Sequence, residues 1–600
     1  MEDNHDLGPT SGDTVEFTPS ELEEGLRRVR APHPSSNDGG NPHPISGHVR
    51  ILLKAALTPV ALDLLPRGII QNPVRGERSF ILDGNAHTEG GNHVRKFAIA
   101  QSSNDIGYDI KAALLGPKRS GQESTVMRCR IYFDPAQDRV VVTSYSPGTI
   151  ALRKLGDTSA IFSSRSHQEF NLEIGVPKTL DPGCWSVFTS SRLHIMDLSV
   201  LRRRGLISEA GMNTGGENQA QIGTKSSGKR PLGSPQTTNE RAKVREIENA
   251  DGAVIVFQAT PNSAASSPNK THESTSSHTI PTICHPLEQL SDGEVAKVVG
   301  SKGEDYTLTR GKSLMVNRNS MVFRASHSRI PLEMIVVKVV RTPESSEGLD
   351  GANGLINTAE LWLKEVKNHS MLKQHPCVVR LYEADAHFLS LYMEHIDAPS
   401  LTQHITLESG NFFCTLTKPD AGRILADTST GLLYIHAQGI VHNDIKPANI
   451  LYSRARGAII IDFGVSTHGA AVGTAGGSPW YIPPEYTHFG TRSRPGDVWA
   501  LGVVMLFTLR RLPLPERRQP RLDWRISHVR RDDEEGEKAR EVIEQWLDEV
   551  EVVRQRLDRK NPIEDLVWGM LQHEVSDRSQ VHQLVRDVTN CNNQGNDEHT

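Results

Sequence analysis

Six hundred residues are too many for one hydrophobic core, and at ~100–200 residues per domain they allow three to six domains. Hydrophobic residues at 36 % and aromatics at 5 % are too few for a chain folded throughout, so a polar, structureless part dilutes the average. Sixty-seven Lys and Arg against 72 Asp and Glu leave a net charge of −5, which excludes a general attraction to nucleic acid or to an anionic membrane. Six cysteines without a CxxC pair argue against a zinc site or a disulfide framework and for a reducing, intracellular compartment. The start, MEDNHDLGPTSGD, is acidic and polar, unlike a signal peptide, and no run of 18 apolar residues predicts a membrane span.

In chain order, residues 1–47 are polar and expected to be a disordered tail. Residues 48–204 carry short β-branched or aromatic runs: Val49–Leu53, Phe97–Ile99, Cys129–Phe133 and Arg139–Thr143. Asp134-Pro-Ala-Gln-Asp138 between the last two predicts a hairpin, and the absence of a helical period predicts a β-sandwich. In residues 211–290, Gly, Ser, Thr, Pro, Asn and Gln make up 42 of 80 positions, so residues 205–292 are expected to be a disordered linker. Its apolar island, Ala253–Ala259, reads either as an edge strand or as a short patch inside the linker. From about Glu294 the texture is α+β. Met334–Val340 and Cys377–Tyr382 are strand-like, whereas 357–374, 421–438 and 540–557 have helical spacing. Residues 293–590 therefore predict a bilobal domain, with 591–600 a second disordered tail.

The stretch Val441-His-Asn-Asp-Ile-Lys-Pro-Ala-Asn-Ile450 places Asp444, Lys446 and Asn449 on one loop, followed by a predicted strand and Asp462-Phe463-Gly464. Phosphoryl transfer needs Mg²⁺ held against the phosphates and a hydroxyl aimed in line. Asp462 and Asn449 are suited to hold Mg²⁺, and Asp444 to accept the hydroxyl proton.

This pattern resembles the protein kinase family over roughly 294–590. The resemblance implies ATP and Mg²⁺ as cofactors. It makes Lys338 of Val336-Val-Lys338 the phosphate-gripping lysine and Glu365 its partner, with Glu360 in reserve. It marks Tyr392-Met-Glu394 as the hinge, where Glu394 and Ile396 would meet the nucleotide, and Gly477–Glu485 as the end of an activation segment. Asp497 would anchor the catalytic loop, and Arg578 would pair with Glu485. Lys446 and Ser478 imply serine/threonine rather than tyrosine substrates, so the expected partner is a protein bearing such hydroxyls.

Two positions depart from the family pattern. Met315, Asn317 and Ser320 stand where glycines would let backbone amides approach phosphate, leaving Asn317 and Ser320 as a small polar lid. Asn443 stands where an arginine would meet a phosphorylated activation loop, so Thr467 and Thr474 are not expected to act as phosphorylation switches. His436 and His442 read as packing residues, and Arg202–Arg204 and Lys229-Arg230 as solvated basic patches with nuclear import as the alternative.

In the amino-terminal part, Phe97–Ile106, Thr125–Cys129 and Ile131–Asp134 resemble a forkhead-associated (FHA) domain, a β-sandwich that binds phosphothreonine. Its ligand positions have drifted: Ala100-Gln101 replaces Gly-Arg, Arg128 replaces His, and Pro147-Gly148 replaces Asn-Gly. The chain thus reads as an intracellular serine/threonine protein kinase behind an FHA-like module for a phosphopeptide partner, with no nucleic acid or membrane partner. The alternatives are a pseudokinase scaffold and a phosphopeptide-binding adaptor.

Overall fold

The first described strand, Val49–Ala55 (β1), buries alternate side chains, and its inward residues Ile51 and Leu53 are fully shielded from water. The computed structural model describes residues 49–55, 60–69, 79–82, 96–114, 124–155 without 147, 169–202, 207–209, 246–248, 254–256, 285–298, 305–342 without 331–333, and 349–597 without 470, 473–475 and 519–525. The expected tail 1–47, residues 598–600, most of the expected linker and Thr474 lie outside the described residues.

The amino-terminal part is built of antiparallel strands in two sheets. The strands that follow β1 are Val60–Gly68 (β2), Ser79–Leu82 (β3), Lys96–Ala100 (β4), Asp105–Leu114 (β5) and Ser124–Phe133 (β6). After these come Val140–Ser144 (β7), Ile150–Lys154 (β8), Glu169–Leu172 (β9), Lys178–Leu180 (β10), Gly183–Thr189 (β11) and His194–Val200 (β12). One sheet runs β3-β4-β1-β12-β11-β8-β9 and the other β10-β7-β6-β5-β2. A single core containing Ile51, Phe97, Trp185 and Leu198 of the first sheet and Tyr108, Ile110, Met127 and Val142 of the second joins them. The predicted hairpin forms, with Cys129 opposite Ser144 and Phe133 opposite Val140. Asp134 shapes its turn by accepting from the Ala136 and Gln137 amides and from Arg139 Nε.

Part of the expected linker is ordered. Val254–Val256, the described part of the apolar island, pairs antiparallel with Glu246–Glu248. The carboxy-terminal part also begins earlier than 293. His285 and Leu287 are buried, and a His285 ring nitrogen lies 3.0 Å from the Phe388 carbonyl.

From there the strands are Val295–Val298 (β13), Tyr306–Val316 (β14), Ser320–His327 (β15), Ile335–Val340 (β16), Leu381–Asp385 (β17) and Ser390–Glu394 (β18). They lie in the order β13-β14-β15-β16-β18-β17, with helix Leu349–Ser370 (α1) inserted between β16 and β17. The predicted strand at 377–382 begins only at Leu381.

The remainder is mostly helical: Lys418–Ala437 (α2), Pro484–Phe489 (α3), Arg494–Thr508 (α4), Glu534–Arg554 (α5), Pro562–Met570 (α6) and Val581–Asp597 (α7). Thr417 and Asp420 form a capping box at α2, a device contributing about 1 kcal/mol. Asp533 caps α5 through the Gly536 amide, so the acidic run after Arg531 is a helix start. Helix α4 is buried along nearly its whole length, which accounts for its apolar run. No helix among the described residues is long and apolar enough to cross a membrane.

Candidate active site

The loop carrying Asp444, Lys446 and Asn449 is set by what precedes and follows it. Gly439, with φ of +77°, turns the chain out of α2, and Ile440–Val441 pairs with Thr467–His468. Strands Ile450–Ser453 and Gly457–Ile460 then return the chain to Asp462. Asp497 near the start of α4 holds the loop from below. Its Oδ1 accepts from the Asn443 amide at 2.8 Å, and its Oδ2 accepts from the His442 amide at 2.8 Å and meets His436 Nε2 at 2.9 Å. His436 Nε2 thus meets a buried carboxylate, and His442 Nε2 lies 3.2 Å from the Ile461 carbonyl. Asn443 and Asp462 both adopt left-handed backbone (φ 66°), a strained geometry the surrounding bonds maintain.

Around Asp444 the contacts converge. Oδ1 accepts from the Ser478 amide at 3.0 Å. Oδ2 accepts from Asn449 Nδ2 at 2.9 Å and lies 2.9 Å from Lys446 Nζ. Lys446 also donates to Ser478 Oγ at 2.8 Å, so loop and activation segment are tied through one carboxylate and one ammonium. Burial alone would lower the Lys446 pKa, but the Asp444 charge and hydrogen bond, with Asp462 and Glu516, together outweigh it and raise the pKa.

Lys338 on β16 reaches Glu365 Oε1 of α1 at 2.7 Å and Asp462 Oδ1 at 2.6 Å. Burial opposes its charge, yet the two carboxylates raise the ammonium above its ordinary range. Burial likewise opposes the Asp462 carboxylate, but Lys338 and then Lys446 hold it well below the usual range. Glu365, almost fully enclosed, is pushed upward by burial despite Lys338. Of the two candidate glutamates, Glu365 meets Lys338. The reserve, Glu360, bonds Tyr132 and Arg67 instead.

Behind this pair the Phe463 ring sits between His369, 4.7 Å away, and His442, 5.0 Å away. His369 lies four residues after Glu365 on α1, and its Nε2–H points to the Val379 carbonyl at 2.9 Å. A helix spacing of four puts both on one stripe, a signal the sequence carried and the motif reading passed over.

Asn317 and Ser320 sit at the turn between β14 and β15. There Asn317 Oδ1 accepts from the amides of Asn319 (2.8 Å) and Ser320 (2.7 Å), while the Asn317 amide donates to Ser320 O at 2.9 Å. These tip amides are occupied within the turn. Glu394 ends β18, its amide bonded to Arg380 O and its carboxylate 3.5 Å from Arg456; Ile396 packs against the main core.

Sequence reasoning missed Arg492. Its Nη1 donates to the Asn443 carbonyl at 2.6 Å and its Nη2 to the Gly476 carbonyl, with the guanidinium over the Tyr486 ring. A Cβ at Gly477 (φ +100°) would lie 2.8 Å from Arg492 Nη1 and 3.0 Å from Asn443 O, so only glycine fits. Further on, Arg578 grips Glu485 with two bonds of 2.8 Å. Breaking a buried pair of this kind costs roughly 3–5 kcal/mol.

Residues 318–588 match the family model described as a protein kinase domain. This part of the chain is similar to a protein kinase domain. Its relatives include Serine/threonine-protein kinase PLK4 of Drosophila virilis, 33 % identical over 190 residues, or 31 % of this chain and 22 % of that protein. The Drosophila melanogaster protein of the same name is 31 % identical over 228 residues (37 % and 26 %), and that of Nematostella vectensis 29 % over 228 residues (37 % and 20 %). The match thus spans about a quarter or less of each relative's length, and the kinase domain groups with serine/threonine protein kinases. Its oxygen-rich pair, the Asp462 carboxylate and the Asn449 amide, suits Mg²⁺, which binds through carboxylates and substrate phosphates. Asn449 Nδ2 faces Asp444, which leaves its amide oxygen as the group for a cation.

In the amino-terminal sheets, Gln101 is buried, and its Oε1 accepts from Arg50 Nη1 at 2.6 Å. Arg128 is exposed on β6, and Pro147 lies outside the described residues.

Proposed function

We propose that the chain is a serine/threonine protein kinase that moves the γ-phosphoryl group of ATP to a protein hydroxyl with Mg²⁺. The observation that carries this reading is the single ammonium of Lys338 shared by Glu365 and Asp462, because it sets a phosphate-binding cation beside a metal-binding carboxylate. When bound, Mg²⁺ would neutralise the developing charge on the phosphates. Asp444, fixed by the Ser478 amide, is positioned to orient the substrate hydroxyl and take its proton, and Lys446 is positioned to steady the transferred group. Glu394 and Ile396 belong to the hinge segment expected to hold the base of the nucleotide.

A scaffold without phosphotransfer is the second reading, favoured by the occupied amides at the 317–320 turn. A phosphopeptide ligand forms no part of the proposal, since the side chain of Gln101 is engaged by Arg50. The test is transfer of labelled γ-phosphate by the full-length protein to a mixed protein acceptor in Mg²⁺, followed by phospho-amino-acid analysis. Phosphoserine or phosphothreonine that disappears in Asp444→Asn supports the kinase. Nucleotide binding without transfer supports the scaffold.

A further inference from the structure

Residues up to 208 and from 283 onward cluster into one compact unit. Inside it, the amino-terminal β domain grips the kinase domain at α1. Glu360 Oε1 accepts from the Tyr132 hydroxyl at 2.5 Å and from Arg67 Nη2 at 2.5 Å. Arg67 is itself held 3.4 Å from Asp109. Strands β7 and β10 lie against the helix, and Tyr132 is buried in the same apolar cluster as Ala359 and Trp362 of α1. Burial and the Glu360 charge raise the Tyr132 phenol well above its ordinary range, which keeps its proton in place as a donor. A second contact fixes the sheet beside the helix: the Ala386 amide, in the turn between β17 and β18, donates to Ser103 O at 2.7 Å.

Glu360 and Glu365 are five residues apart, about 140° around the helix at ~100° per residue. One therefore faces the β domain while the other faces Lys338. Outward rotation of α1 would break the Lys338–Glu365 pair, and it would also strip Glu360 of both donors. An α1 so displaced would lose its contacts to the β domain together with the Lys338 pair, which is the differential interaction that a population shift requires.

We propose that the amino-terminal β domain is a built-in brace on α1, with Glu360 as the positioning residue that keeps Glu365 against Lys338. This rests on the kinase reading above. Tyr132 and Arg67 are its two anchors.

The experiment uses the full chain. Tyr132→Phe removes one oxygen and leaves the ring packed; Glu360→Gln keeps the shape and removes the charge. Each is expected to lower kcat/KM for ATP about fivefold or more, and the double variant is expected to be no worse than the weaker single, since both cut the same link. Hydrogen exchange of the α1 amides from 358 to 366 should speed up while the amides of α2 and the melting temperature hold. Additive losses, unchanged α1 exchange, or a loss of protection spread over the whole domain would each overturn the brace. If the unsubstituted protein transfers no phosphate, the kinase reading falls, and α1 exchange alone still decides the brace.

Discussion

Arg492 ties the activation segment to the catalytic loop by donating to the Asn443 carbonyl at 2.6 Å, with its second nitrogen on Gly476 O. The positive charge that would await a phosphate on the loop is supplied here from the far side of the segment, and it grips backbone. Asn443 meanwhile donates to Thr467 Oγ1 at 3.0 Å, so that hydroxyl is already engaged. We expect Arg492→Ala to lower kcat/KM tenfold or more, about 1.4 kcal/mol of barrier. Arg492→Lys should not restore it, since an ammonium lacks the planar fork. Phosphatase treatment and Thr467→Ala should each change the rate by less than about threefold, the size of one hydrogen bond. A tenfold loss on dephosphorylation would show that modification does switch the enzyme.

Asp462 and Asp444 should fail differently. Asp462→Ala is expected to abolish Mg²⁺-dependent nucleotide binding, read by calorimetry with and without the metal. Asp444→Asn should leave that binding largely intact and lower kcat by ~10²–10⁴, the range for a positioned acid–base group. Equal effects on binding would contradict the roles assigned.

The turn at 317–320 predicts a gain. Asn317→Gly removes the oxygen that occupies the Asn319 and Ser320 amides. Freed to meet phosphate, they should lower KM for ATP by about threefold or more with little change in kcat, the mark of uniform binding. An unchanged or higher KM would mean these amides never face the nucleotide.

Acid should weaken the domain through His369. Burial lowers its pKa from 6.5 to about 4, so the folded protein keeps it neutral while the unfolded chain protonates near 6.5. Its stabilising contribution is complete above that pH and is lost as the pH falls toward 4. Between pH 7 and pH 5 the unsubstituted protein should lose about 2 kcal/mol more than His369→Gln, from 1.5 pH units at ~1.36 kcal/mol each. Denaturant titrations at the two pH values measure it, and parallel losses would remove His369 as the cause.

The residues proposed for catalysis were legible as a group because they are local. Asp444, Lys446 and Asn449 fall within six positions, and Asp462 follows one hairpin later, so spacing alone carries their geometry. Glu365 was legible because it shares α1 with few rivals, though choosing it over Glu360 needed the helix orientation. The bonds of Glu360 were not legible. Tyr132 and Arg67 are 228 and 293 residues away, and nothing in their surroundings marks them as meeting a helix. Arg492 was hidden for a related reason, since it acts through backbone carbonyls that leave no residue pattern. The boundary at 293 was set too late because His285 and Leu287 sit in a polar stretch whose average composition masks two buried side chains.

The chain leaves one compact unit at residue 208 and re-enters the same unit at 283. Residues 209–282 are thus an excursion in sequence from that unit and cluster as a second unit of their own. The same topology makes the protein a natural split molecule. Two polypeptides divided inside that excursion should find each other and co-purify, because Glu360, Ala386 and their partners lie on opposite pieces of the cut chain.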